Sequence, residues 1–522
     1  MSAVRARTRA GARRVIDGLG RPAVAAVTVA VTVGLWQVAT IVTGVPAILL
    51  PAPTEVAAAL QGNRAAIARH LAYTGYEIGL GWLTGVGVGI AFAGLMAASR
   101  RLRLAVYPLL VSIRIVPLVA IAPLLIVAFG ATLYTRVLMA AILTFFPVTV
   151  ATLDGLLAVP SSQLDLLQSV DASTWARLRY VRLPNALPSV FAGVKIATPL
   201  AVEGVLLAEF LAASRGLGHA VLQAAANLDT PLLFAEVALI VGVGFALFGL
   251  VAGYERLARW TDSDGVERGF GTRAAGAPAP TPERALFGAV ALAALGAVWV
   301  AGTVVLPNAA VFLPSPSAVA ASLLETPGLF LTATAGSLHK LAAGWGFGAL
   351  VGGTVGAVVA FAPLTRPVAG PFLVGARVTP TIVAAPLLLV WLGISFSAAT
   401  VLIALATFFP IAVATASGLT TLPETHRSLL DSVDAPRRAR LFVRLRYGLP
   451  TVLAGVKLSI VSGLSGVVIA EWFVANGGLG VLVNQGMRNL QPTLTYAAIA
   501  CLFVLGMALF GGVTLLQRRL DW

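Results

Sequence analysis

One apolar run occurs twice in this 522-residue chain, and that repetition limits its fold more than any other feature. Thr144-Phe145-Phe146-Pro147-x-x-Val150-Ala151-Thr152 returns about 263 residues later as Thr407-Phe408-Phe409-Pro410-x-x-Val413-Ala414-Thr415, and Pro123-Leu124-Leu125 returns at the same offset as Pro386-Leu387-Leu388. A single long period means two copies of one unit fused in tandem, each bound to fold as the other does. The copies consist mainly of segments long enough to cross a bilayer, so the duplication predicts two membrane halves facing each other across a shared path.

Composition fixes the solvent. With 58% hydrophobic and 11% charged residues the chain cannot cover an apolar core with polar surface, which makes it an integral membrane protein. Six apolar segments are expected in each half, at 24–44, 78–98, 104–128, 135–157, 188–212 and 233–254, then 286–306, 341–362, 372–392, 398–419, 450–474 and 496–516. Each is about the length of a helix crossing a hydrocarbon core of about 30 Å. The polar/apolar alternation of a membrane barrel is missing, so the fold class is all-α, with about 12 spans.

The net charge of +15 is distributed by topology. Arg5, Arg7, Arg9, Arg13 and Arg14 precede the first span, Arg100, Arg101 and Arg103 follow the second, Arg177, Arg179 and Arg182 follow the fourth, and Arg256 and Arg259 follow the sixth. Arg366, then Arg437, Arg438, Arg440, Arg444 and Arg446, then Arg518 and Arg519 repeat the bias. The positive-inside rule makes that side cytoplasmic, puts both termini there, and argues against nucleic-acid binding. Cys501 is the single cysteine, so disulfides within the chain and cysteine metal sites are excluded. Residues 1–22 read as a cytoplasmic arm, 23–260 and 285–522 as the two membrane domains, and 261–284 as a Pro/Gly/Ala-rich cytoplasmic linker. An even number of spans before the linker keeps the halves in the same orientation, a parallel pseudo-two-fold repeat.

Glycines crowd the second span of each half: Gly79, Gly81, Gly85, Gly87 and Gly89, then Gly344, Gly346, Gly348, Gly352, Gly353 and Gly356. Small residues at helical spacing allow close helix contact in lipid. Pro117, Pro123 and Pro147, matched by Pro380, Pro386 and Pro410, are expected to kink the third and fourth helices. Between the fourth and fifth spans each half carries a polar stretch: 164–177, continuing to Pro184 and Pro188, and 428–440, ending at Pro450. Asp171 before Ala172-Ser173 and Asp434 before Ala435-Pro436 read as N-caps, giving helix, break, helix outside the membrane.

These stretches resemble the cytoplasmic loop of ATP-binding-cassette importer permeases that depend on a solute-binding protein, in the nitrate/sulfonate/taurine and thiamine-precursor branch. That loop reads E-A-A-x-x-x-G, nine residues, then I-x-L-P. Asp165, Leu166 and Leu167 stand at the E-A-A positions, Asp171 at the glycine, and Val181, Leu183 and Pro184 at I-x-L-P; Ser428, Leu429, Leu430 and Asp434 match in the second half, which is one residue shorter before Val443 and has Arg446 at the position of Pro184. Leu50-Pro51-Ala52-Pro53 with Leu313-Pro314-Ser315-Pro316, Arg114-x-x-Pro117 with Arg377-x-x-Pro380, and Glu209 then Gly216-Leu217-Gly218 with Glu471 then Gly478-Leu479-Gly480 extend the likeness over nearly the whole chain.

The resemblance implies two tandem six-helix permease domains that translocate a small polar solute. Asp165, Leu166, Leu167, Asp171, Ala172, Ser173 and Pro184, with Ser428, Leu429, Leu430, Asp434, Ala435 and Pro436, would then couple to a cytoplasmic ABC ATPase in two copies. An extracytoplasmic solute-binding protein is the other implied partner, and the inner or plasma membrane the location. None of the three lysines, Lys195, Lys340 and Lys457, sits in a phosphate-binding G-x-x-x-x-G-K loop, so ATP is expected on the partner, with no catalysis and no cofactor in this chain. Charges inside spans mark candidate sites. Arg114, Arg377 and Glu203, whose counterpart is Ser465, are candidates for the solute path; Glu209 and Glu471 are expected to hold the Gly-Leu-Gly segments or an outer docking face. A twelve-span secondary transporter is the alternative, though it has no use for two polar docking loops.

Overall fold

The computed structural model describes residues 21–113, 117–159, 161–169, 171–258, 282–305, 312–362, 378–420 and 422–520, with isolated positions between 365 and 376. Among them the chain is helical throughout. The first half contains α1 (Arg21–Thr43), α2 (Pro53–Gly62), α3 (Arg64–Ala98), α4 (Arg100–Ile113), α5 (Ala122–Phe129), α6 (Leu133–Leu157), α7 (Ser161–Ser169), α8 (Thr174–Arg177), α9 (Leu183–Ala212), α10 (Leu217–Ala226) and α11 (Thr230–Ala258). The second contains α12 (Pro282–Val305), α13 (Pro316–Glu325), α14 (Pro327–Phe361), α15 (Ala384–Leu392), α16 (Phe396–Thr420), α17 (Glu424–Ser432), α18 (Arg437–Phe473), α19 (Leu479–Arg488) and α20 (Pro492–Leu520). Nine helices among the described residues are long and apolar enough to span a membrane, and 118–129, 289–305 and 381–392 are shorter apolar helices.

Each half is built around its fourth span. In the first, α6 packs between α3 and α9; in the second, α16 packs between α14 and α18. The glycines sort by face. A Cβ at Gly85 would overlap Thr144 Oγ1, and one at Gly348 would overlap Thr407 Oγ1, while Gly79, Gly87, Gly346 and Gly353 have open space around them. Only the face toward the fourth span therefore needs glycine for close approach.

The third spans depart from the expected kinked helices. Pro117 (ψ 95°) and Pro380 (ψ 131°) adopt extended backbone, and each is followed by a short 3-10 turn, Leu118–Ile121 or Thr381–Val383, before the chain re-enters a helix. Proline supplies no N–H to the preceding turn, so at these two sites the helix is broken outright. Pro147 and Pro410 lie inside the continuous helices α6 and α16, and Pro123 falls in the first turn of α5, where proline is compatible with the fold.

The breaks build the interface between the halves. The 118–121 turn packs on α18 and the 381–383 turn on α9, while α5 meets α19 and α15 meets α10. Phe210 and Phe473 meet edge to face across this seam with centroids 5.5 Å apart. One hydrophobic core runs through it, joining Val202, Leu206 and Leu217 to Ile382, Leu464 and Leu479.

Candidate functional site

At one end of the bundle lie α7 and α17, the elements that sequence assigns to docking. Asp171 (φ 48°) and Asp434 (φ 44°) adopt the left-handed conformation, so each is the residue that ends the preceding helix and not the cap of the next. The Ala172 amide donates to the Leu167 carbonyl and the Ala435 amide to the Leu430 carbonyl, both at 2.9 Å, the closing bond of a Schellman motif. The cap of α8 is Ser173, whose Oγ accepts from the Ala176 amide at 3.2 Å; Pro436 precedes α18. Aspartate tolerates this conformation better than most residues, which explains how it stands at a glycine position.

Each break is held from behind by an arginine. Arg177 Nε donates to the Ala172 carbonyl at 2.9 Å and Arg440 Nε to the Ala435 carbonyl at 2.8 Å. Arg440 also reaches Asp431 at 3.0 Å and Asp434 at 3.7 Å. Leu166 and Leu429, at matched positions, are 68% and 60% exposed. Asp165, Asp171, Ser173, Pro184, Ser428, Asp434 and Pro436 are exposed, Leu167, Ala172 and Leu430 half-buried, and Ala435 buried within the chain itself. The extra residue in the first half is absorbed as a π-helical turn, Leu178–Arg182, whereas α18 runs unbroken.

The other end carries the Gly-Leu-Gly segments. Glu209 Oε2 accepts from the Gly218 amide at 2.6 Å and Oε1 from Thr74 Oγ1 at 2.7 Å, and that hydroxyl oxygen accepts in turn from the Leu217 amide at 2.7 Å. Glu471 repeats the pattern with Gly480 (2.6 Å), Ser337 (2.8 Å) and the Leu479 amide (2.9 Å). These carboxylates fasten the buried N–H groups that open α10 and α19 and have no partner within their helices. Gly216 (φ 107°) and Gly478 (φ 113°) pass so close to them that any Cβ would strike the carboxyl group. Glu209 and Glu471 thus anchor these segments by hydrogen bonds.

Sequence reading missed the charged partners. Arg136 Nε meets Glu77 Oε1 at 2.7 Å, Lys340 Nζ meets Glu471 Oε1 at 2.7 Å, and Lys195 pairs with Glu255. Charge within a span was the available signal, but it did not reveal which residues meet. Glu203 is half-buried on α9 beside Gly204, which packs on Ala140. Arg114 and Arg377 lie outside the described residues.

A duplicated helical bundle with broken third spans at its seam and a polar helical break at one end of each half is a transport permease. The description "Binding-protein-dependent transport system inner membrane component" matches residues 85–262 and again 348–522, and the chain belongs to that family. It is 33% identical over 220 residues to a probable ABC transporter permease of Haemophilus influenzae, covering 42% of this chain and 90% of that protein. It is 33% identical over 240 residues to a riboflavin transport system permease of Chloroflexus aurantiacus (45% of this chain, 90% of that protein). Identity to a taurine transport system permease of Escherichia coli is 31% over 237 residues (44% and 86%). The protein is a multi-pass permease component of an ATP-binding-cassette importer in which two family domains are fused.

Proposed function

We propose that this chain alone supplies both membrane domains of its importer and receives two copies of a cytoplasmic ABC ATPase, one on α7–α8 and one on α17 with the start of α18. The arginine bias puts these elements and both termini in the cytoplasm. The observation that carries the reading is the Schellman break built twice, with Leu166 and Leu429 exposed at matched positions. ATP is bound and hydrolysed on the partner, and closure of the ATPase pair rocks the two halves about their seam.

The solute arrives on the opposite face from a binding protein and passes between the halves, where Phe210 and Phe473 close the path. Glu203, two helical turns from Phe210 on α9, and Arg114 and Arg377 of the third spans are assigned to that path. The substrate is a small polar compound such as a sulfonate, nitrate or a vitamin precursor.

Copurification tests the assignment. One chain with two ATPase subunits is expected, and two chains per ATPase pair would refute the fused-domain reading. Leu166→Glu and Leu429→Glu should each leave an inserted permease that loses its ATPase, because a carboxylate buried in a docking groove costs several kcal/mol. Normal copurification and transport by both variants would remove these elements from the coupling role. Glu203→Gln should change transport while assembly stays intact.

A further inference from the structure

The end of the first half that carries the Gly-Leu-Gly segment also contains an open cavity of about 160 Å³. Its polar lining is Asn63, His70, Gln223, Asn227, Asp229 and Glu236, contributed by α3 and the residue before it, by α10, by the turn that follows α10, and by α11. Glu236 is 3% exposed, and its Oε2 has no hydrogen-bond partner. Asp229 is exposed at the rim, with Oδ1 accepting from the Leu232 amide at 3.2 Å. His70 Nδ1 accepts from the Gly216 amide at 3.1 Å, which ties the cavity wall to the Glu209 anchor. Among the described residues no lysine or arginine lines the cavity. An unpartnered buried carboxyl oxygen beside a second carboxylate calls for a cationic hydrogen-bond donor.

The second half does not repeat these titratable residues. The residues at the positions of His70, Asp229 and Glu236 are Ala333, Gln491 and Ala498, and both alanines are buried. The cavity is lined entirely by residues of the first half, with neither Phe210 nor Phe473 among them, so its occupant is not held between the two halves.

We infer that this cavity is a socket for one lysine or arginine side chain of the docked solute-binding protein. A pseudo-two-fold permease offers a docking protein two orientations half a turn apart, and a socket on one half alone selects between them. The inference rests on the importer reading, which supplies the partner and places this end outside.

The test uses the full chain with its ATPase in lipid nanodiscs, measuring ATPase stimulation against the concentration of the binding protein from the same transport system. Glu236→Gln should raise the half-saturating concentration at least tenfold without changing the maximal rate. Asp229→Asn, which retains the helix cap, should shift it the same way by a smaller factor, and it decides the matter if Glu236→Gln does not assemble. Ethylguanidinium chloride should compete with the binding protein on the wild type, more strongly than sodium chloride at equal ionic strength, and should lose this advantage on Glu236→Gln. Unchanged half-saturation in the assembled variants overturns the socket, as does stimulation by ethylguanidinium without any binding protein, which would mark a site for a free cation. A wild-type chain that binds its ATPase yet ignores the binding protein overturns the importer reading itself.

Discussion

The two carboxylate anchors share their geometry and differ in their charges. Glu209 and Glu471 each fix two amides at the start of a short helix through one direct bond and one hydroxyl relay. In the second half Lys340 stands directly on Glu471 and also donates to the Gly477 carbonyl at 2.5 Å. In the first half the position of Lys340 is Glu77, which is paired to Arg136; the position of Arg136 is Ala399 in the second. Charge compensation has been rearranged around an unchanged hydrogen-bond pattern. The pattern is what the fold requires, and the cation is a replaceable local solution.

The largest expected effect follows from that difference. Glu471→Gln leaves the Lys340 ammonium buried without its anion, a loss of about 3–5 kcal/mol. Glu209→Gln strands no cation bonded to it and disturbs the hydroxyl relay and the contact with the neighbouring Glu77 carboxyl, at about 1–2 kcal/mol. Equilibrium unfolding in mixed micelles should rank them in that order, and Lys340→Met combined with Glu471→Gln should recover most of the larger loss because the two sites are coupled. Equal costs for the two glutamine variants would show that the different charge partners carry no energetic consequence.

Where the halves agree, substitutions should act alike. Gly85→Ala and Gly348→Ala each drive a methyl group into a threonine of the fourth span, at a cost of about 1–3 kcal/mol by overpacking. Gly87→Ala and Gly346→Ala, in open space, should be neutral or slightly stabilising, since alanine is the better helix former by about 1 kcal/mol. Unfolding midpoints check both pairs, and unequal costs at Gly85 and Gly348 would mean that the two second spans pack differently.

These elements also show how far sequence carries. The repeat, the helical class and the polar breaks are legible because they are local: hydrophobic runs, small residues at helical spacing, an aspartate where the chain must turn. The π-helical turn at Leu178–Arg182 is visible as the one-residue difference between the halves before Val443. Proline position alone did not separate a tolerated kink at Pro147 from a break at Pro117, because the outcome depends on what packs around the freed carbonyls. The Lys340–Glu471 contact joins residues 131 positions apart, and the Arg136–Glu77 contact 59 apart; local pattern does not encode pairing at such separations. In sequence an Asp before Ala-Ser or Ala-Pro suits either a helix cap or a helix end, and only the backbone angle separates the two.

The smallest effect sharpens the comparison at the end that carries the polar breaks. Asp171 and Asp434 both sit at positive φ, where a Cβ is unfavourable, so Asp171→Gly should relieve about 0.5–1 kcal/mol of local strain. Asp434→Gly should relieve the same strain but lose the contact to Arg440, an exposed pair at 3.7 Å that contributes little in water. Its net gain should therefore be slightly smaller than that at Asp171. Global unfolding will not resolve so small a gap, whereas hydrogen exchange at the Ala172 and Ala435 amides will, since each donates the bond that closes its Schellman motif. Slower exchange at Ala172 in Asp171→Gly, with a weaker slowing at Ala435 in Asp434→Gly, is the expected result. Faster exchange at either alanine would mean that the aspartate side chain stabilises its turn, and the aspartates would then stand at the glycine position for a reason other than tolerance.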